Sequence, residues 1–83
     1  MLTMDDAEQI VEQNISYMSV KVGISYKNDY VFCLQDPSNP KSPMYDPFVS
    51  VDKNTGEFSD FSIFTDADPS EIIPLFQDAL EKQ

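Results

Sequence analysis

Residues 46–60 read DPFVSVDKNTGEFSD, in which two short runs rich in branched and aromatic side chains flank Lys53-Asn54-Thr55-Gly56. That order predicts a β-hairpin, with strands over residues 48–52 and 57–64. Gly56 is the residue expected to take a positive φ and close a four-residue loop built on a type I turn. Alternation breaks between Phe58 and Phe61. The break fits either a β-bulge around Ser59 and Asp60 or a strand with both faces partly covered.

A second hairpin precedes this one. Met18, Val20, Val22, Ile24 and Tyr26 alternate with Ser19, Lys21, Gly23, Ser25 and Lys27, the period of a half-buried strand. Lys27-Asn28-Asp29 supplies turn residues, and residues 30–35 carry the aromatic and branched side chains of a returning strand. Between the hairpins, residues 36–47 hold Pro37, Pro40, Pro43 and Pro47, which remove amide donors and bias their predecessors away from helix. An exposed loop is expected there, with Met44 and Tyr45 either folded back as a plug or projecting as a contact.

Both ends read as helix. Thr3 followed by Asp6 is a capping-box variant, and Ala7, Ile10, Val11 and Ile15 recur at three- and four-residue spacing, so a helix over residues 4–14 is predicted. Asp68-Pro69-Ser70-Glu71 is a helix start with an Asp cap and Pro at the first helical position. Ile72, Ile73, Leu75, Phe76, Ala79 and Leu80 would then face the sheet, while Pro74 either kinks this helix or divides it in two. The expectation is one α+β domain over residues 1–83, ordered helix-β-β-β-β-helix, whose twisted antiparallel sheet carries both helices on one face.

Composition narrows the chemistry. A chain of 83 residues has to commit its six Phe and four Tyr to one core. The single Cys33 forms no intrachain disulfide and reads as a small buried hydrophobe in a reducing compartment. MLTMDDAEQI lacks the basic and apolar regions of a signal peptide, and no window approaches the ~20 apolar residues of a membrane span. A cytoplasmic protein with no membrane partner is expected. There is no histidine to act as a base or metal ligand, no arginine to clamp a phosphate, and no glycine-rich phosphate loop. These gaps argue against an enzyme, a cofactor or a nucleotide site. Carboxylate-only catalysis would still need a cleft that so small a domain rarely forms.

Fifteen acids against five lysines give a net charge of −10. Residues 1–14 hold four acids and no base, residues 15–53 balance four acids with four lysines, and residues 54–83 hold seven acids and one lysine. Such a field repels nucleic acid and anionic membranes and favours a basic protein partner. Asp52, Asn54 and Gly56 are similar in spacing to a calcium loop, but the glycine falls at position five and Ile63 at position twelve, where that loop needs glycine at six and glutamate at twelve. Asp60, Asp66, Asp68 and Glu71 form a second oxygen-rich group, which could hold a divalent ion weakly or serve as a solvated edge and helix cap. With Tyr45 they are the candidate partner-binding residues; Tyr30 reads as core, and Tyr17 as core or contact.

The run FVSVDKNTGEF, residues 48–58, resembles the V-x-V-D-x-x-T-G-E strand-turn-strand of PepSY-like domains and of YrhB-like immunity proteins of bacterial polymorphic-toxin systems. It also resembles short uncharacterised proteins of phages and prophages. The resemblance implies a helix ahead of the sheet and no catalytic residues, and the four-proline segment departs from it. Together these readings point to a non-enzymatic acidic protein-binding module of the immunity or mobile-element kind. The alternatives are a structural component of a phage or prophage particle that self-associates through a sheet edge or the proline loop, and a weak divalent-metal-binding protein.

Overall fold

The computed structural model describes residues 1–35 and 48–82. The elements run α1 (Met4–Asn14), β1 (Ser19–Tyr26), β2 (Asp29–Gln35), β3 (Phe48–Asp52), β4 (Phe58–Phe61) and α2 (Pro69–Glu81). The strands form one antiparallel meander, β1-β2-β3-β4, that leaves β1 and β4 at the edges. This is the α+β class and element order that the sequence predicts. The proline-rich segment, with Met44 and Tyr45, lies outside the described residues.

The helices lie on opposite faces, and this corrects the expectation of a single covered face. On β2, Val31 and Cys33 join Ile72 and Phe76 of α2, whereas Phe32 and Leu34 join Ala7 and Val11 of α1. Successive side chains on a strand point to opposite sides, so the apolar run Val31 to Leu34 is a strand buried on both faces. β3 divides the same way, with Val49 and Val51 toward α1 and Phe48 toward α2.

A bulge reconciles β1 with this arrangement. Val20 pairs with Leu34, but Val22 pairs with Cys33, so the register shifts by one residue at Lys21, a β-bulge. Met18 and Val20 therefore pack on the α1 side, while Val22, Ile24 and Tyr26 pack on the α2 side. The uninterrupted alternation in the sequence hides this change of face. By contrast, β4 pairs with β3 in unbroken register, so the bulge considered at Ser59 and Asp60 is absent. Phe58 and Phe61 instead serve opposite faces, which was the other reading of that break.

The turns follow from local chemistry. Asp52 accepts the N–H groups of Asn54 (2.7 Å) and Thr55 (2.9 Å) on its carboxylate and that of Gly56 (2.9 Å) on its carbonyl. Gly56 takes φ 77°, a conformation that a side chain would strain. The tip of the first hairpin shortens to Lys27 and Asn28, with Asp29 already in β2. This end of the sheet also holds the N-terminal arm: Leu2 donates its N–H to the Lys53 carbonyl (2.8 Å), and the Tyr30 hydroxyl donates to the Leu2 carbonyl (2.9 Å).

Residues 62–67 carry the chain from β4 back to the start of α2, which packs chiefly on β1 at the far edge. Ile63 and Ala67 in this crossing pack against the α2-side core. Pro74 neither ends nor divides α2, which continues to Glu81. The Ser70 carbonyl, deprived of its helical donor by Pro74, belongs to an exposed residue, where water can satisfy it.

Candidate interaction surfaces

Each helix presents an acidic exterior, and the acids are held by ordinary helix-start chemistry. In α1, the Thr3 side chain accepts the Asp6 N–H (3.2 Å) and the Asp6 carboxylate accepts the Thr3 N–H (3.1 Å), a complete capping box. Those bonds hold the Asp6 carboxyl below its ordinary value, the backbone bond first. Asp5, Asp6 and Glu12 are exposed and Glu8 half-buried. Every apolar residue of this helix is at least partly buried: Ala7 and Val11 fully, Met4 and Ile10 in part. The outside of α1 is therefore polar throughout.

α2 is built differently. Ile72 and Phe76 are buried and Ala79 half-buried, but Ile73, Leu75 and Leu80 are 38%, 41% and 40% exposed. The expectation that all six face the sheet thus holds for three. At 3.6 residues per turn the six positions span an arc of roughly 160°, wider than one flat sheet covers, so the residues at the margins are left to solvent. The width of the run IIPLF was the available sign. Phe64, just ahead of the helix, is 74% exposed, and Tyr17 on the link between α1 and β1 is 75% exposed.

The structure does not gather the candidate residues into one patch. Asp60 pairs with Val49, whose side chain faces α1, and so projects toward the α1 side. Asp66, Asp68 and Glu71 are neighbours in the crossing and first turn of α2. Tyr45 lies outside the described residues. Asp66 accepts the Ser62 N–H (2.8 Å) and donates its own N–H to the Ser62 carbonyl (2.8 Å), closing one turn. Asp68 caps α2 through the Ser70 N–H (2.9 Å) and hydroxyl (2.7 Å), bonds that lower its carboxyl, the hydroxyl foremost. The Tyr26 hydroxyl accepts the Asp68 N–H (3.3 Å) and donates to Glu71 (3.5 Å), which ties the start of α2 to β1.

These bonds bear on the metal reading. Asp66 and Asp68 are occupied by local donors, and among the described residues no group of three or more His, Cys, Asp or Glu side chains could hold a metal ion. The Asp52 carboxylate likewise serves its turn, which places its carboxyl below the ordinary value. Tyr30 is part of the α1-side core, with the Lys53 ammonium 5.2 Å from its ring centre.

Fold and surface together define an acidic α+β module with one polar helix and one helix whose apolar stripe is only partly covered. No family model, no curated protein and no solved structure matches the chain.

Proposed function

We propose that this chain is a non-enzymatic protein-binding module that engages a basic protein, of the immunity or mobile-element kind that its second hairpin resembles. One observation carries the reading: acids crowd the exteriors of both helices, while the lysines of the described sheet region lie along β1 and the hairpin turns. Charge arranged in this way speeds encounter with a basic surface and excludes acidic ones. With no histidine or arginine in the chain, a catalytic or phosphate-binding role has little to work with. Neither helix is long and apolar enough to cross a membrane.

The particle-assembly alternative draws less support. β1, the longer edge, carries the Lys21 bulge, and β4 is four residues long with an exposed aspartate. Bulges, charges and short length are the usual ways in which an edge is blunted against pairing. Affinity capture from a lysate of the source cells at low and high salt, followed by reconstitution with the purified binder, tests the proposal. A basic protein bound directly at low salt and released by high salt is the expected result. Recovery of only the chain itself, or of particle components that salt does not release, would overturn it in favour of assembly.

A further inference from the structure

We infer that the arm ahead of α1 is a strap over one end of the α1 face, closed by Lys53 as its positioning residue, so that the arm and both hairpin tips open and close as one unit. The device stands apart from the proposed binding of a basic protein.

Three segments distant in sequence meet at Lys53. Its backbone carbonyl accepts the Leu2 N–H (2.8 Å) and its backbone N–H donates to the Asn28 carbonyl (2.9 Å), which joins the arm to the first hairpin tip through the second. Its ammonium donates to the Lys27 carbonyl (2.9 Å) and to the Ser25 hydroxyl, and stands 5.2 Å from the centre of the Tyr30 ring. The Tyr30 hydroxyl completes the circuit by donating to the Leu2 carbonyl (2.9 Å). Leu2 is thus held at its N–H by the Lys53 backbone and at its carbonyl by the ring on which the Lys53 ammonium rests. Bonds joined in this way support one another, so losing one loosens the rest. Lys27 adds a reason for the ammonium to stay: it holds φ 52°, a conformation costly for a residue with a side chain, and the bond to its carbonyl offsets that cost. Closed, the arm seats Leu2 against the α1-side core beside Gly56, where an added Cβ would lie 3.3 Å from Leu2 and 3.4 Å from Ile10. Opening would uncover Leu2 and Ile10 on a face whose exterior is otherwise polar.

The test is native-state hydrogen exchange on the full chain labelled with nitrogen-15. Tyr30→Phe removes the hydroxyl that holds Leu2, and Lys53→Met removes the ammonium, which donates to Lys27 and Ser25 rather than to Leu2. Each should speed exchange of the Leu2 amide by about three- to tenfold, while the Phe32 amide in β2 stays protected and shows that the variants fold. The double variant should lose less than the product of the two single losses, the mark of a shared unit. Lys82→Met, which breaks only the exposed pair with Asp78, should leave Leu2 as in the parent. Unchanged Leu2 exchange in Lys53→Met, or a double loss equal to the product, would overturn the strap by showing that its contacts act independently. A measurement on the parent fold guards against a variant that fails to fold: limited acetylation with acetic anhydride, read at each lysine by mass spectrometry. Lys53 should react several-fold more slowly than the exposed Lys27 and Lys82, and Tyr30→Phe should narrow that gap. Equal rates at the three lysines of the parent would also overturn the proposal.

Discussion

The two faces of the sheet share the same strands and differ in how completely they are closed. Toward α1, Phe32, Leu34, Val11, Val49 and Val51 are no more than 2% exposed, and the helix above them spends all its apolar residues on the sheet. Toward α2, Val31 and Ile72 are fully buried too, but Val22, Ile24, Tyr26, Cys33 and Phe76 retain 6–8%, and beside Phe48 and Phe61 that face of β3 and β4 carries Ser50, Ser59 and Asp52, where the other carries Val49, Val51 and Phe58 beside Asp60. One face is finished as a core. The other is apolar enough to hold a helix yet leaves part of that helix outside, with Ile73, Leu75 and Leu80 each more than a third exposed.

The strongest test of this contrast compares one core truncation from each face. Phe32→Ala should cost about 3–5 kcal/mol, which consumes much of the stability of a domain this small and destabilises every element together. Ile72→Ala should cost about 2–4 kcal/mol in global unfolding, but hydrogen exchange should show α2 opening before the sheet does. Protection lost uniformly in both variants would mean that the faces are equally coupled and would break the comparison.

Next in size is Gly23, which faces α1 beside Phe32. A Cβ added there would lie 2.6 Å from the Phe32 ring and 3.2 Å from the Met4 sulfur. Gly23→Ala should therefore destabilise by about 1–3 kcal/mol through overpacking. Its backbone needs no positive φ, so the cost is steric, and adding Phe32→Leu should recover part of it in a double-mutant cycle. No recovery would show that the α1 face is less tightly closed than its burial indicates.

Much of this architecture was legible in the chain, because each element satisfies a local rule. The capping box of Thr3 and Asp6, the Asp68-Pro69 start and the Gly56 turn each require only neighbours in sequence, and all are present. What depended on tertiary context was not legible. Lys21 looks like one more polar residue in an alternating strand, yet as a bulge it sends Val20 and Val22 to different faces. The placement of both helices on one side follows from reading that strand as continuous, although the four consecutive apolar residues from Val31 to Leu34 already marked a strand covered on both sides. For the candidate site, charge alone marks the acids in the sequence, and it does not show that Asp60 faces away from Asp66, Asp68 and Glu71. The apolar pattern places Ile73 and Leu80 in the core because it does not say how much of a wide stripe a single sheet face can cover.

A smaller effect separates the helix starts. Thr3→Ala removes the hydroxyl that accepts the Asp6 N–H and should cost about 1 kcal/mol, read by urea denaturation. The whole domain should register the loss, since α1 closes the tighter face. A cost below the precision of the measurement would indicate that burial of Ala7 and Val11 holds α1 without its cap.

The smallest effect concerns like charges on the α2 face. Asp29 stands directly opposite Asp52 across the β2–β3 ladder. Burial first, and the Asp52 charge second, raise its carboxyl above the ordinary 3.8, and nearby Lys53 offsets this only in part. A carboxylate with a raised value in the folded chain costs stability once ionised. That cost is absent below pH 3.8, grows as the pH climbs through the folded value, and is complete above it. Asp6, Asp52 and Asp68 have the opposite sign: their lowered values contribute stability above pH 3.8 that is lost as the pH falls through them. Asp29→Asn should therefore raise stability modestly near pH 7, and the gain should shrink toward zero at about pH 3, where the parent carboxyl is itself protonated. Denaturant midpoints of parent and variant across that range separate this from a general change in packing, which would leave the difference constant with pH. A constant difference would mean that opposed carboxylates contribute nothing to the looser closure of the α2 face, and that its serines and uncovered helix flank account for it alone.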